Sequence, residues 1–225
     1  MKSISKNFFA VVFLTFIASN IFAQTKPAAV SNDPKTKALL DGMSKKYRSY
    51  KTIKANFKMI LENVASKTKE EKVGLIVLKG GKYHVEIGSL EIICDTKSIW
   101  SFSKDDNEVT VNNYEPNAKG ISPADIFTLY EKGFLYQMGE VVKENGKELQ
   151  VVELTPTDKS KNYFKIKLFI DKASQSMVRT NIFDKNGNHY TYEIVQLTPN
   201  APFEDVYFSF DAKKHPKVEV TDNRN

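Results

Sequence analysis

Between residues 73 and 111 the chain reads as short runs of alternating apolar and polar residues, cut by Gly80-Gly81, Gly88-Ser89, Asp95-Thr96-Lys97 and Lys104-Asp105-Asp106-Asn107. A period of two is the period of a strand, whose successive side chains point to opposite faces. Strand-turn-strand at this spacing predicts an antiparallel meander. Leu75, Val77, Tyr83, Val85 and Ile87 recur at every second position, and the pattern places them on one face. The single tryptophan, Trp100, follows, with Phe102 two residues on. The face so composed is greasy, and a concave sheet carrying it is suited to holding something apolar.

Strands dominate the rest of the chain as well. Residues 52–62 alternate cleanly, with Ile53, Ala55, Phe57, Met59 and Leu61 facing one way and Lys54, Asn56, Lys58 and Glu62 the other. That is the pattern of an antiparallel strand with one wet face. Asn145-Gly146 and Asn186-Gly187 are two-residue hairpin signals, each set between apolar runs: 141–142 with 149–154, and 177–183 with 190–197. Residues 163–171 alternate again, Phe164, Ile166, Leu168 and Ile170 against Lys165 and Lys167. Two helical inserts break the pattern. The first starts at Asn32-Asp33-Pro34, a cap followed by a first-turn proline. It carries Leu39, Leu40, Met43 and Tyr47 at helical spacing. The second starts at Ser122-Pro123 and carries Ile126, Phe127, Leu129 and Tyr130. Roughly ten or eleven strands in one domain curl rather than stay flat. The expected fold is mainly β with short helices: an unclosed antiparallel barrel whose helices lie over its open side as a lid, enclosing an apolar cavity.

The N-terminus reads as an address. Lys2 and Lys6 precede an apolar run at residues 8–18, and Ile21-Phe22-Ala23 ends on a small residue before Gln24. This is the pattern of a cleaved export signal over residues 1–23, and the run is shorter than the roughly 20 residues a membrane-spanning helix needs. Residues 24–30 are polar and Pro/Ala-rich and are expected to be a loose mature N-terminus, with one domain over residues 31–225. The formal charge of +6 loses two lysines with the leader and is spread without a dense basic block, so nucleic acid is not an expected partner. Cys94 is the only cysteine, which excludes an internal disulfide. The chain contains no Gly-x-Ser-x-Gly, no His-Glu-x-x-His and no Gly-rich phosphate loop. Its three histidines, His84, His189 and His215, lack metal-ligand spacing. No cofactor or metal is expected, and enzyme is the minority reading.

Several motifs, taken in order, resemble the LolA family of periplasmic lipoprotein carriers. Leu75-Ile76-Val77-Leu78-Lys79 stands where the family has an apolar run ending in lysine-arginine-proline before an aromatic strand, and Tyr83 is at that aromatic. Ile93-Cys94-Asp95-Thr96-Lys97-Ser98-Ile99-Trp100 is similar to the family's apolar, small, Asp-Gly-Lys, polar, Leu-Trp. Leu154-Thr155-Pro156, then Phe208-Ser209-Phe210 with Pro216 and Val218, match the later motifs. The resemblance implies an unclosed barrel whose cavity takes up the acyl chains of a client lipoprotein or another lipid. It also implies an inner-membrane transporter, an outer-membrane acceptor, a periplasmic address and a monomer. On this reading Phe57, Met59, Leu75, Val77, Tyr83, Val85, Ile87, Trp100 and Phe102 wall the cavity. The lid is formed by Leu39, Leu40, Met43, Tyr47, Ile126, Phe127, Leu129 and Tyr130. Where the family has an arginine that bonds to the lid, a gapless alignment puts Lys79, with Gly80 after it in place of proline; lysine keeps the charge and loses the planar fork. The alternatives are a module on the same fold that binds lipid, glycolipid or pigment precursor or senses the envelope, and a secreted lipid hydrolase.

Overall fold

The computed structural model describes residues 32–116, 121–131 and 133–224; the expected leader and the segment after it, residues 1–30, lie outside the described residues. Helix α1 (Pro34–Arg48) begins as its sequence predicts, with Pro34 in the first turn and the Asp33 carboxylate accepting from Thr36 N at 2.9 Å and Thr36 Oγ1 at 2.7 Å. Lys45, Lys46 and Arg48 sit in the last turn, where cations meet the negative end of the helix dipole. Leu40, Met43 and Tyr47 form its buried stripe.

Strand β1 (Ile53–Asn63) opens a run of six with β2 (Thr68–Lys79), β3 (Lys82–Ile87), β4 (Leu90–Cys94), β5 (Ser98–Ser103) and β6 (Glu108–Asn113). After a covering segment come β7 (Phe134–Glu144), β8 (Lys147–Pro156), β9 (Tyr163–Asp171), β10 (Ser176–Asp184) and β11 (Asn188–Pro199), and near the C-terminus β12 (Glu219–Asp222). All twelve form one sheet in the order β12-β6-β5-β4-β3-β2-β1-β11-β10-β9-β8-β7. Two meanders are thus joined along the β1–β11 pair, and the sheet stays open, with β12 and β7 at its edges. The expected unclosed, mainly β architecture is what forms. One pairing departs from it: β12 runs parallel to β6. The chain leaves β11, crosses the outside of β2–β5 and arrives beside β6 in the same direction.

The covering segment contains two 3-10 turns, Pro123–Asp125 and Leu129–Glu131, instead of the expected second α-helix. Ser122 does cap the first, its Oγ accepting from Ala124 N at 3.2 Å. Ile126, Phe127 and Thr128 are poor helix formers, and a piece this short does not sustain α-helix on its own. Phe134, Leu135 and Tyr136 follow it and open β7.

The register across the first turns decides which residues share a face. Lys79 pairs with Lys82 across Gly80-Gly81, so each odd-numbered residue of β2 opposes an even-numbered one of β3. Leu75 and Val77 therefore share a face with Glu86 and His84, not with Tyr83, Val85 and Ile87, which corrects the sequence expectation. The next turns repeat the inversion: Val85 opposes Ile92, and Trp100 and Phe102 oppose Ile93 and Glu91. One face of the sheet carries Ala55, Phe57, Ile76, Val85 and Ile92; the other carries Val77, His84, Ile93, Trp100, Phe102 and Val111.

Candidate functional site

The first of these faces is concave and packed with apolar side chains. Phe57, Leu78, Tyr83, Val85 and Cys94 belong to one buried cluster with Leu40, Met43 and Tyr47 of α1, Phe127 and Tyr130 of the covering segment, and Ile166, Leu168 and Ile170 of β9. Leu39 and Leu129 pack at its margin. The cluster does not fill the space. Between sheet and cover lies a cavity of about 260 Å³. Its floor is Phe57 and Met59 of β1, Val85 and Ile87 of β3, and Ile182 and Ile194 of the far meander; its roof is Ile121, Pro123, Ile126 and Phe127. No charged side chain is among the described lining residues. Thr180 turns its hydroxyl to Met177 Sδ at 3.2 Å, and burial raises the Tyr192 phenol's pKa, which keeps it neutral. Such a surface offers an apolar guest contact and no electrostatic hold.

Gly74 shapes the floor. It pairs with Phe57 across β1 and β2, and a Cβ added there would lie 2.4 Å from Phe57 Cζ and 2.7 Å from the Glu86 carbonyl oxygen. The missing side chain is the room the Phe57 ring occupies.

The cover is held by side chains. Phe127 stacks on Tyr47 with ring centroids 4.0 Å apart. The Tyr47 hydroxyl in turn accepts from Met177 N at 3.0 Å, and burial pushes this phenol up to about 12. Glu131 at the end of the covering segment accepts from Ser44 Oγ at 2.7 Å and pairs with Arg48. The Tyr130 hydroxyl donates to Asp41 at 3.0 Å. Lys46 Nζ fastens α1 to the β9–β10 turn through the Ser174 carbonyl and Ser176 Oγ, both at 2.6 Å.

Of the residues expected to wall a cavity, Phe57, Met59, Val85 and Ile87 line this one, and Ile126 and Phe127 of the expected lid roof it. Tyr83 is on the same face but packed against Cys94 in the solid core, and burial raises both their pKa values. Leu75, Val77, Trp100 and Phe102 are on the opposite face and line no part of it. Lys79 is there too, by the same alternation. Its Nζ donates to the Phe203 carbonyl at 2.8 Å and pairs with Asp205 at 2.8 Å, so it grips the C-terminal segment and not the cover, correcting the latch expectation.

That segment is what sequence reasoning missed. Residues 200–224 lie across the outer face as a clasp. Phe208 is fully buried, Tyr207 packs on His84 with ring centroids 4.4 Å apart, and Phe210 and His215 pack on Phe102. Lys79 and Lys82 both pair with Asp205 and hold its carboxyl down at about 2. His84 Nδ1 is 2.9 Å from the Tyr207 carbonyl oxygen, and its Nε2 is 2.6 Å from Glu91 Oε1, off the line of a directed hydrogen bond, so this attraction is one of charge. Burial lowers the His84 pKa, but Glu91 and the Tyr207 carbonyl outweigh it and the net shift is upward. The Phe-Ser-Phe run and the Lys79–Gly80 departure were the available signals. Among the described residues no group of three or more His, Cys, Asp and Glu is placed to hold a metal ion.

The model of the family described as outer membrane lipoprotein carrier protein LolA matches residues 48–211. An outer-membrane lipoprotein carrier protein of Legionella pneumophila (strain Lens) is 21% identical over 207 residues, which cover 91% of this chain and 94% of that protein. Among solved structures, a conserved protein from Thermus thermophilus is similar with a TM-score of 0.52 at 12% identity, covering 84% of this chain and 99% of that one. A LolA superfamily protein from Nitrosomonas europaea gives a TM-score of 0.44 at 12% identity, covering 81% and 99%. At 12% identity the likeness to the Thermus thermophilus protein is one of fold.

Proposed function

This chain belongs to the outer membrane lipoprotein carrier protein LolA family, and we propose that it carries acylated lipoproteins through the periplasm from the inner to the outer membrane, with their acyl chains in the cavity under the cover. The observation that supports this most is the cavity itself: uncharged, walled by aliphatic and aromatic side chains, and roofed by a separate segment. Each methylene taken from water into such a space is worth ~0.8 kcal/mol, a cost that otherwise keeps the lipid in its membrane. Phe57, Met59, Val85 and Ile87 touch the chain from below; Ile126 and Phe127 close over it. The cover has to open for loading and unloading, and an equilibrium near balance is shifted by small differences in affinity. Contacts made through side chains such as Glu131–Ser44 suit that demand. An inner-membrane transporter supplies the client and an outer-membrane acceptor takes it. Residues 1–23 act as the export signal and are removed, the carrier works as a monomer, and its activity is binding and release without bond cleavage.

The test is native mass spectrometry of the processed protein purified gently from envelope extract, with uptake of a fluorescent acyl probe measured alongside. A bound acylated peptide or lipoprotein, and a probe displaced by it, is the expected result. A protein that is empty and ignores the probe overturns the proposal, and a bound free lipid or pigment moves it to a different cargo.

A further inference from the structure

Three connections meet at the end of the sheet where β1, β9, β10 and β11 have their tips. Val64 N donates to the Gly187 carbonyl at 3.1 Å, tying the β1–β2 turn to the β10–β11 turn. Lys185 N donates to the Asn162 carbonyl at 2.8 Å and Lys185 Nζ to the Lys159 carbonyl at 2.6 Å, tying the β10–β11 turn to the β8–β9 loop. The rim so tied together displays apolar side chains. Val64 is 59% exposed and Phe164 47% exposed. Phe164 owes its position to a bulge: Phe183 pairs with Lys165 and Asp184 with Tyr163, so Phe164 is the unpaired extra residue of β9. Bulges re-aim side chains, and this one sets an aromatic ring outward while Tyr163 beside it stays buried.

The same rim is basic. Lys67, Lys159 and Lys185 are exposed at its tips, and Lys165 Nζ lies 5.0 Å over the Phe183 ring, next to Phe164. The acids nearby are fewer than the lysines: Glu62 pairs with Lys69 at 3.0 Å, Glu70 is exposed, Asp184 accepts from Asn186 N, Asn188 N and Asn188 Nδ2, and Asp158 accepts from Ser160 N. Lys185 Nζ is bonded to a neutral carbonyl and not to a carboxylate. Lysines on exposed turns around a protruding aromatic ring match an anionic bilayer surface, where the ring enters the headgroup boundary and each cation gains from the surface potential. Met59 and Ile182, which line the cavity, are on β1 and β10, the strands that end in this rim.

We infer that the β1–β2, β8–β9 and β10–β11 tips, with Phe164 and Val64 as apolar anchors and Lys67, Lys159 and Lys185 as cations, form a docking surface for anionic phospholipid membranes. The inference rests on the carrier reading only for what docking achieves, which is to bring the cavity to the bilayer. Flotation of the processed protein with vesicles of phosphatidylcholine containing phosphatidylglycerol, against pure phosphatidylcholine, tests it. Partitioning is expected on the anionic vesicles only, and falls as salt screens the cations. Lys159→Gln and Lys185→Gln each weaken it about five-fold, the equivalent of ~1 kcal/mol per cation near the surface, and Phe164→Ser weakens it about ten-fold. All three variants take up the acyl probe as the parent does, which shows them folded and reports the carrier reading separately. Absence of vesicle binding with probe uptake intact, equal binding to both vesicle types, or capture of a protein partner that the same variants abolish without any vesicle binding each overturns the inference.

Discussion

Removing the Glu131 carboxylate is the sharpest test of how the cover is held. Its two oxygens serve different partners: Ser44 Oγ at 2.7 Å, on a residue only 3% exposed, and Arg48, whose side chain is 61% exposed. The Arg48 arm is a surface ion pair and contributes under about 1 kcal/mol. Deleting the acceptor in Glu131→Ala strands a buried hydroxyl, at a cost of about 1–3 kcal/mol. The sum, about 2 kcal/mol, raises the open population about thirty-fold. Glu131→Gln keeps an acceptor for Ser44 and gives up only the charge, so its effect stays under about 1 kcal/mol. Ser44→Ala combined with Glu131→Ala removes both partners and recovers part of the loss, since no donor is left unsatisfied. Amide exchange in residues 121–131 and the on-rate of a fluorescent acyl probe read the opening. The expected order of both rates is Glu131→Ala fastest, then the double variant, then Glu131→Gln, then the parent. Parent-like exchange and uptake in Glu131→Ala refute the argument.

Val85→Glu puts a carboxylate into the apolar floor, and acyl-probe binding is expected to fall at least about ten-fold, because ionising it there costs several kcal/mol; circular dichroism should show the fold retained, and undiminished binding in a folded variant contradicts the role given to that face. Gly74→Ala drives a methyl into the Phe57 ring and the Glu86 carbonyl, so urea denaturation should show a loss of about 1–3 kcal/mol. The outer clasp is pH-dependent. His84 is raised above its ordinary 6.5, so its contribution is full below that value and is lost as pH rises through the higher folded value. Glu91, lowered chiefly by the neighbouring His84, contributes above its ordinary 4.5 and is lost as pH falls through its depressed value. Stability of the clasp should therefore peak between these limits and decline as pH rises through the raised His84 value, and His84→Gln should abolish the decline in urea midpoints.

The strands were legible where alternation was long enough to fix both existence and face. In β1, Ile53 to Met59 alternate without a break, and the floor residues Phe57 and Met59 follow directly. Asn145-Gly146 marks its hairpin because both residues adopt positive φ, 49° and 75°, which the tight turn demands. Face assignment across strands was not legible in the same way. Leu75 and Val85 each belong to a clean alternation, but which alternation shares a side depends on the parity of the Gly80-Gly81 turn, and a one-residue difference flips every side chain. Trp100 lies on the outer face because the turns after β3 and β4 repeat the inversion. The covering segment misled differently: a cap and a proline announce a helix start, yet nothing in Ile126-Phe127-Thr128 sustains one, and its place is set by the aromatic contact with Tyr47. The clasp carries no periodicity at all. Phe208 is buried because the outer face of β2–β6 is too apolar to be left wet, a fact visible only once the faces are sorted.

The two closures of this sheet differ in kind, and that difference locates the movable part. The clasp is continuous with the sheet's own ladder: β12 pairs with β6, Glu219 N donates to the Asn107 carbonyl and Asn223 N to the Val111 carbonyl. Removing it would expose Phe208, Phe102 and Val109 together and break main-chain hydrogen bonds, so it opens only with the fold. The cover is attached otherwise. Among the described residues, the backbone N–H groups of residues 121–131 that are bonded to backbone carbonyls reach only within the segment, Ile126 to Pro123 and Glu131 to Thr128. It reaches α1 through the Phe127–Tyr47 ring stack and side-chain hydrogen bonds to Ser44, Arg48 and Asp41. Lifting it breaks no ladder, and an apolar guest entering the cavity replaces the contacts that Ile126 and Phe127 give up. Local stability follows local hydrogen bonding and burial. On the carrier reading, opening is therefore a property of the cover alone, with the sheet and its clasp as the body against which it moves.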